Sequence, residues 1–427
     1  MTRARSITIV PALLLVLAAG VVPAAAAELE RAKPEQVGLS SERLERLTQT
    51  LRADVERGRI PGAVVIVARK GRIAYLDTVG FRDKAAGAAM TPDAIFRIAS
   101  MTKPLVSVAT MMLYEEGRLF LSDPVSKYIP ELANRQVGVE KLDPVTGKTV
   151  FYTVPAESEM TIQDLLRHTS GFTYGNRGAT HVHKLYEGGT SGLSRELTPP
   201  EFIERLAKLP LLNQPGTKWE YGVSTDVLGR VVEVVAGKPL GQVLAERVFR
   251  PLKMTDTGFV VPADKKGRLA QALAIDPDTG KEIKLFDATT APKFECGGGC
   301  GVSTAGDYVR FTQMLVNRGT LEGTRLLGRK TVEYMTSDHL GLAIAPGAAY
   351  SPGPGYGFGL GFAVRKEAGI ASLTGSAGDY NWGGAFGTGF WVDSKEELTV
   401  VFMAQAPGPI RVHYRQLLKT LVLQAIE

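Results

Sequence analysis

Strand-like runs sit near both ends of this 427-residue chain, and helical patterns fill its middle. "GAVVIVARKGRIAYLDTVGF" (62–81) holds two β-rich runs around a Lys-Gly turn and reads as a hairpin. "PLVSVATMMLYEEGRL" reads as a helix ended by Gly117. Between about 160 and 255 lie "TIQDLLRHTSG", "TPPEFIERLAKL", "STDVLGRVVEVVAG" and "PLGQVLAERVF", all with helical spacing. The last third returns to glycine-punctuated β runs, "YGFGLGFAVRK", "GGAFGTGFWVD" and "ELTVVFMAQ", and closes on the helical "IRVHYRQLLKTLVLQAI". Such an order fits one α/β lobe assembled from both ends of the chain, residues 28–100 and 296–427. A mainly helical lobe, residues 101–295, is inserted between them. A cleft between two lobes is where a site is expected.

Residues 1–27 read as a leader. Arg3 and Arg5 precede an apolar run from about Ile7 to Val22, and an A-x-A pattern follows at Ala25–Ala27, with removal expected after Ala26 or Ala27. The expected location is therefore periplasmic or secreted, with no stable membrane span after removal. The formal charge of +6 drops to +4 without the two leader arginines. The remaining basic residues are scattered, which suits a solvated surface and not a nucleic-acid groove. Two cysteines, Cys296 and Cys300, are too few for a disulfide framework. In an exported chain they suffice for one small bridge, which the spacing alone does not decide.

"FRIASMTKP" (96–104) places a serine, a lysine and a proline within five positions. Proline is tolerated only in the first turn of a helix, so a helix should start at about Ser100 or Met101. Ser100 then lies at a helix N-terminus, beside free N–H groups that favour negative charge. Lys103 follows one turn on, along the same face. The spacing S-x-x-K arises by chance about once in a chain this long, and serine is also a favoured helix cap. Context decides. This S-x-x-K is the only one in the chain, and no G-x-S-x-G nucleophile elbow is present.

"FRIASMTKP", "LSDPVSKYIPEL", "TIQDLLRHTSGF" and "GGGCGVSTAGDYVRF" occur in the order seen in the serine β-lactamase-like superfamily. The chain resembles that superfamily over about residues 35–425, and within it is most similar to family VIII carboxylesterases. The superfamily also holds class C β-lactamases and DD-peptidases. The resemblance implies an α/β + α fold: an antiparallel sheet flanked by helices, with an inserted helical lobe. It implies Ser100 as nucleophile and Tyr221, in "PGTKWEYGVSTDVLG", as partner of Lys103 in handling its proton. Which of Lys103 and Tyr221 is the acylation base stays open. Two places after this tyrosine, class C enzymes carry an asparagine that holds the acylamino arm of a β-lactam; here stands Val223, followed by Ser224.

The lysine-first K-T-G motif of lactamases is replaced by "WGG" in this resemblance. Trp382 takes the lysine's place, and Gly383 and Gly384 let the strand backbone approach a substrate closely. The N–H groups of Ser100 and Ala385 would form the oxyanion hole. An indole in place of an ammonium gives an apolar wall without a cation, suited to a neutral ester. His168, in "RHTSGF", reads as a loop brace and not a catalytic base. "CGGGCGVSTAGD" reads as a structural loop at the cleft rim, with a helix cap at Ser303 or Thr304. No H-E-x-x-H spacing occurs, so neither a catalytic metal nor a cofactor is expected.

The expected activity is hydrolysis of short-acyl carboxylic esters through an acyl-enzyme on Ser100, with a small-molecule ester as the partner. Weak cephalosporin hydrolysis is compatible with it. The alternatives are a class C-like β-lactamase or DD-peptidase, a small-amide hydrolase, and a non-catalytic ligand-binding protein on the same fold. Filled positions at Ser100, Lys103 and Tyr221 weigh against the last.

Overall fold

The computed structural model describes residues 29–186 and 195–427. The leader assigned to residues 1–27 lies outside the described residues. The main sheet has eight strands: β1 (Gly62–Arg69), β2 (Arg72–Asp83), β3 (Ala88–Ala89), β4 (Tyr356–Phe358), β5 (Ala363–Arg365), β6 (Tyr380–Gly383), β7 (Gly389–Asp393) and β8 (Leu398–Ala404). Their order across the sheet is β4-β5-β6-β7-β8-β1-β2-β3, and every pairing is antiparallel. The expected hairpin at 62–81 is β1–β2, turning on Lys70 and Gly71, both at positive φ. The sheet joins strands from the two ends of the chain through β1 and β8, where Val65 lies opposite Phe402.

Among the described residues, five helices have twelve residues or more: α1 (Ser41–Glu56), α2 (Thr102–Glu115), α3 (Ser224–Ala236), α4 (Ala305–Val316) and α5 (Ile410–Leu423). The sheet separates two cores, and the period of two along its strands decides which side chain joins which. Ala63, Val65 and Val67 of β1 face Leu44, Leu47 and Leu51 of α1 and Tyr414, Leu418 and Val422 of α5. Val64, Ile66 and Ala68 face the opposite way, into the core that holds Leu105 and Val106 of α2 and Tyr308 of α4. Buried on both faces, β1 therefore reads as a continuous apolar run. The resulting architecture is the expected α/β one, an antiparallel sheet flanked by helices.

Capping fixes where the helices begin. The Ser40 hydroxyl accepts from the Arg43 N–H at 3.3 Å, and Thr304 accepts from the Asp307 N–H at 3.1 Å. Of the two candidate caps for α4, Thr304 is the one used. α2 ends just before Gly117, whose φ is 68°. One element was not anticipated: residues Gln136–Leu142 and Thr149–Pro155 form an antiparallel hairpin inside the inserted segment. Among the described residues no helix is long and apolar enough to cross a membrane.

Candidate active site

Ser100 does not cap α2. It sits in a 3₁₀ turn, Ala99–Met101, and α2 starts at Thr102. The turn exists because Ala99 adopts φ 45°, a left-handed conformation uncommon for a residue with a Cβ. It is held from several sides. The Thr102 hydroxyl donates to the Ala99 carbonyl at 2.7 Å, and the Tyr308 hydroxyl donates to the Met101 carbonyl at 2.9 Å. Strand pairing of Phe96 with Ser303 and Arg97 with Val302 ties the preceding residues to the segment before α4. Pro104 still falls in the first turn of α2, as its chemistry requires.

Lys103 is buried, with 1% of its surface exposed. Its Nζ donates to the Gly298 carbonyl at 2.5 Å and to the Tyr174 hydroxyl at 3.3 Å. It also lies 4.6 Å from the centre of the Tyr221 ring. Lys103 and Tyr221 are therefore brought together as expected, across the boundary between α2 and the residues that lead into α3. The Tyr221 hydroxyl is buried and has no hydrogen-bond partner among the described residues.

Tyr221 stands in an aromatic nest. Trp382 is 5.4 Å away, Trp219 stacks at 6.0 Å, Tyr174 is at 5.6 Å and His168 at 4.8 Å. His168 supports this ring from within the core, with φ 60° and its backbone carbonyl accepting from the Glu220 N–H at 2.8 Å. Burial, with the Lys103 and Arg177 charges behind it, holds its imidazole well below its ordinary range.

Trp382 lines the nest, its indole N–H buried without a partner. Gly383 and Gly384 are also required by packing: a Cβ on Gly383 would stand 2.3 Å from the Arg415 guanidinium, and one on Gly384 would stand 2.4 Å from the Ile98 carbonyl. Close contact with Ile98 brings the end of β6 to the Ser100 turn, and Ala385, exposed, is the next residue. Val223 is fully buried in the core and offers no polar group, while the Ser224 hydroxyl pairs with Ser170 at 2.9 Å.

Trp382 leaves the strand side without a cation, and basic side chains approach Tyr221 from other elements. The Arg177 guanidinium lies 5.7 Å from the centre of the Tyr221 ring. Arg411 and Arg415, one turn apart on α5, both interact electrostatically with Tyr221. Burial, with repulsion from Arg411, lowers Arg415 to about 10. Arg415 donates to the Gly384 carbonyl at 2.7 Å, and Arg177 donates to the Ser351 hydroxyl at 2.9 Å and to the Ala349 carbonyl. The i, i+4 arginines in "IRVHYRQ" were a legible signal of a basic helix face; their direction depended on the fold.

Two further residues were missed. Asp226 of α3 is fully buried and accepts from the Gly298 N–H at 2.8 Å. Burial pushes its carboxyl up to about 6, against the pull of Lys103 and the Gly298 N–H. Tyr174 stands beside both Lys103 and Asp226, and burial pushes its hydroxyl well above its ordinary range. A lone aspartate among "VSTDVLGRVVEVV" was the available clue to Asp226. The 296–300 loop is also more central than a cleft rim: Cys296 and Cys300 form a disulfide, and their loop contacts Lys103 directly.

The antiparallel sheet with its flanking helices, and a buried Lys103 three residues after Ser100 and 4.6 Å from the centre of the Tyr221 ring, fit the serine hydrolases of the β-lactamase fold. The chain belongs to that family: the family model "Beta-lactamase" matches residues 47–423. Protein Rv1367c of Mycobacterium tuberculosis is 36% identical over 365 residues, 83% of this chain and 88% of that protein. Esterase EstB of Burkholderia gladioli is 32% identical over 382 residues, 84% of this chain and 90% of EstB. Among solved structures, EstCE1, "a hydrolase with promiscuous acyltransferase activity", superposes with a TM-score of 0.73 at 28% identity, covering 90% of this chain and 98% of EstCE1.

Proposed function

We propose that this protein is an exported esterase that cleaves short-acyl carboxylic esters through an acyl-enzyme on Ser100. One observation carries the reading: Lys103 and Tyr221 meet one helical turn from Ser100, with the tyrosine hydroxyl unpartnered. Ser100 Oγ attacks the ester carbonyl while the Lys103–Tyr221 unit takes its proton. The N–H groups of Ser100 and Ala385 receive the tetrahedral oxyanion, a role in which one donor is worth about 10²–10³ in rate. Collapse expels the alkoxide, which leaves as an alcohol with the proton returned through Tyr221. Water, deprotonated by the same unit, then releases the acid and restores Ser100. Similarity to EstB and EstCE1 supports the ester substrate, and the apolar Val223 in place of an amide supports it further.

A second reading has one observation in its favour. Arg177, Arg411 and Arg415 around Tyr221 suit an acyl compound that carries a carboxylate, as β-lactams and peptidoglycan termini do. A panel of p-nitrophenyl esters of increasing acyl length, run beside one chromogenic cephalosporin, separates the two. The expected result is a kcat/KM for acetate or butyrate at least about tenfold above the cephalosporin value. An equal or reversed ratio moves the function to the second reading.

A further inference from the structure

Gly298 connects Lys103 with the buried Asp226. Its carbonyl accepts from Lys103 at 2.5 Å while its N–H donates to Asp226 at 2.8 Å. This peptide lies at the centre of "CGGGC", the five-residue loop closed by the Cys296–Cys300 disulfide. Within the loop, the N–H groups of Gly299 and Cys300 both donate to the Cys296 carbonyl at 3.2 Å. Immediately after it, Gly301 donates to the Thr102 hydroxyl at 3.0 Å and accepts from the Ile98 N–H at 3.0 Å. The loop thus grips the chain on both sides of Ser100, as well as Lys103 and the helix that follows Tyr221.

Nothing in the loop's own composition would hold that position. Three successive glycines have the largest conformational freedom a chain can have. Side chains are sterically barred from two of them: a Cβ on Gly297 would stand 2.8 Å from the Thr225 carbonyl, and one on Gly298 2.4 Å from Asp226 Oδ2. The segment must therefore be glycine-rich to fit and must be restrained by something other than side-chain packing. Both sulfur-bearing residues are fully buried, so the bridge lies inside the site's wall and not on its surface.

We infer that the Cys296–Cys300 disulfide is a positioning element of the catalytic site, fixing the Gly298 peptide against Lys103 and Asp226 so that turnover depends on the bridge being oxidised. The inference rests on the reading of Ser100, Lys103 and Tyr221 as hydrolytic machinery. Opening the bridge takes two electrons and two protons from a dithiol reductant and yields two thiols and the oxidised reductant. The freed glycines then sample many arrangements, and in most of them the lysine lacks its carbonyl partner. Neither cysteine touches the reacting atoms; both act through Lys103.

The test compares full-length wild type with the Cys296→Ala/Cys300→Ala variant on p-nitrophenyl butyrate, across pH. Phosphonylation of Ser100 is followed in parallel by intact mass. The variant is expected to lose about ten- to hundredfold in kcat with KM within about threefold, to move a limb of the pH profile of kcat/KM, and to phosphonylate correspondingly slowly. Wild type reduced by dithiothreitol in sub-denaturing urea, with two thiols confirmed by alkylation, should show the same loss and recover on reoxidation. This arm decides if the double variant does not fold. An active wild type whose kcat and pH profile are unchanged by opening the bridge overturns the inference alone. An oxidised wild type that neither turns over nor takes the phosphonate overturns the hydrolase reading, and the inference with it.

Discussion

Lys103 is enclosed by two tyrosine rings, a peptide carbonyl and a buried carboxyl group. On the proposed reading, Lys103 and Tyr221 act as one unit. Ser100→Ala should reduce ester turnover to background while circular dichroism and thermal unfolding stay near wild type, since the hydroxyl is required only to react. Lys103→Ala and Tyr221→Phe should each lower kcat/KM by about 10²–10⁴, the usual span for acid–base groups. The double variant should lose little more than the worse single one. Independent, multiplying losses would assign the two groups to separate steps. The approach of Lys103 to Tyr221 was legible in the sequence because the S-x-x-K spacing singles out the first and a family resemblance supplies the second. Asp226, Tyr174 and Gly298 were not, because their roles arise from contacts between segments more than fifty positions apart.

At the level of elements, two neighbours of the site have opposite chemistry: β6 presents Trp382, and α5 presents Arg411 and Arg415. Strand and helix were both readable from their periodicity, but not that Arg415 of the helix would reach the strand's end at the Gly384 carbonyl. If α5 supplies the anion-binding charge, Arg411→Gln should leave kcat/KM for a neutral acetate ester within about threefold. The same change should lower the cephalosporin value about tenfold or more, the size of one lost charge-assisted hydrogen bond. Trp382→Lys should raise the cephalosporin-to-ester ratio by restoring a cation on the strand side. If steady-state kinetics show both ratios unmoved, the carboxylate is not read by these elements. The hairpin at 136–155 escaped notice for a simpler reason. Val137 and Val139 alternate on one strand and Val150, Tyr152 and Val154 on the other, but the runs are short and most of their side chains are exposed or half-exposed, so the signal is a weak one.

Across the whole molecule, stability depends on how buried carboxyls are treated. Asp307 accepts from the Thr257 hydroxyl at 2.8 Å and from the Asp256 N–H at 2.7 Å, yet burial pushes it up to about 6. Its proton is held more tightly in the folded chain than in the unfolded one, where the value is about 3.9. This group therefore makes stability fall as pH rises from about 4 to about 6. Glu322 runs the other way: hydrogen bonding to Arg310 holds it at about 2, so its contribution is present above the ordinary carboxylate range and lost as pH falls toward 2. Asp307→Asn keeps an acceptor without the charge. Urea unfolding should show the variant gaining on wild type between pH 4.5 and pH 7, by at most about 3 kcal/mol. A difference that is flat with pH would show that Asp307 ionises without cost.

The seam between the segment at residues 39–40 and the segment at residues 425–426 has a consequence of its own. The Ser40 N–H donates to the Ala425 carbonyl at 2.8 Å, Leu39 bridges to Ile426, and the Tyr414 hydroxyl of α5 reaches Asp54 of α1 at 2.9 Å. Segments that already lie side by side can be stitched by a short peptide at little entropic cost, in a variant that begins just before Leu39. New ends could then be cut at the exposed turn around Asp143–Lys148, outside the segments that carry Ser100, Lys103 and Tyr221. Such a circular permutant would list its segments in a new order, with the hydrolytic residues and both cores in their present places.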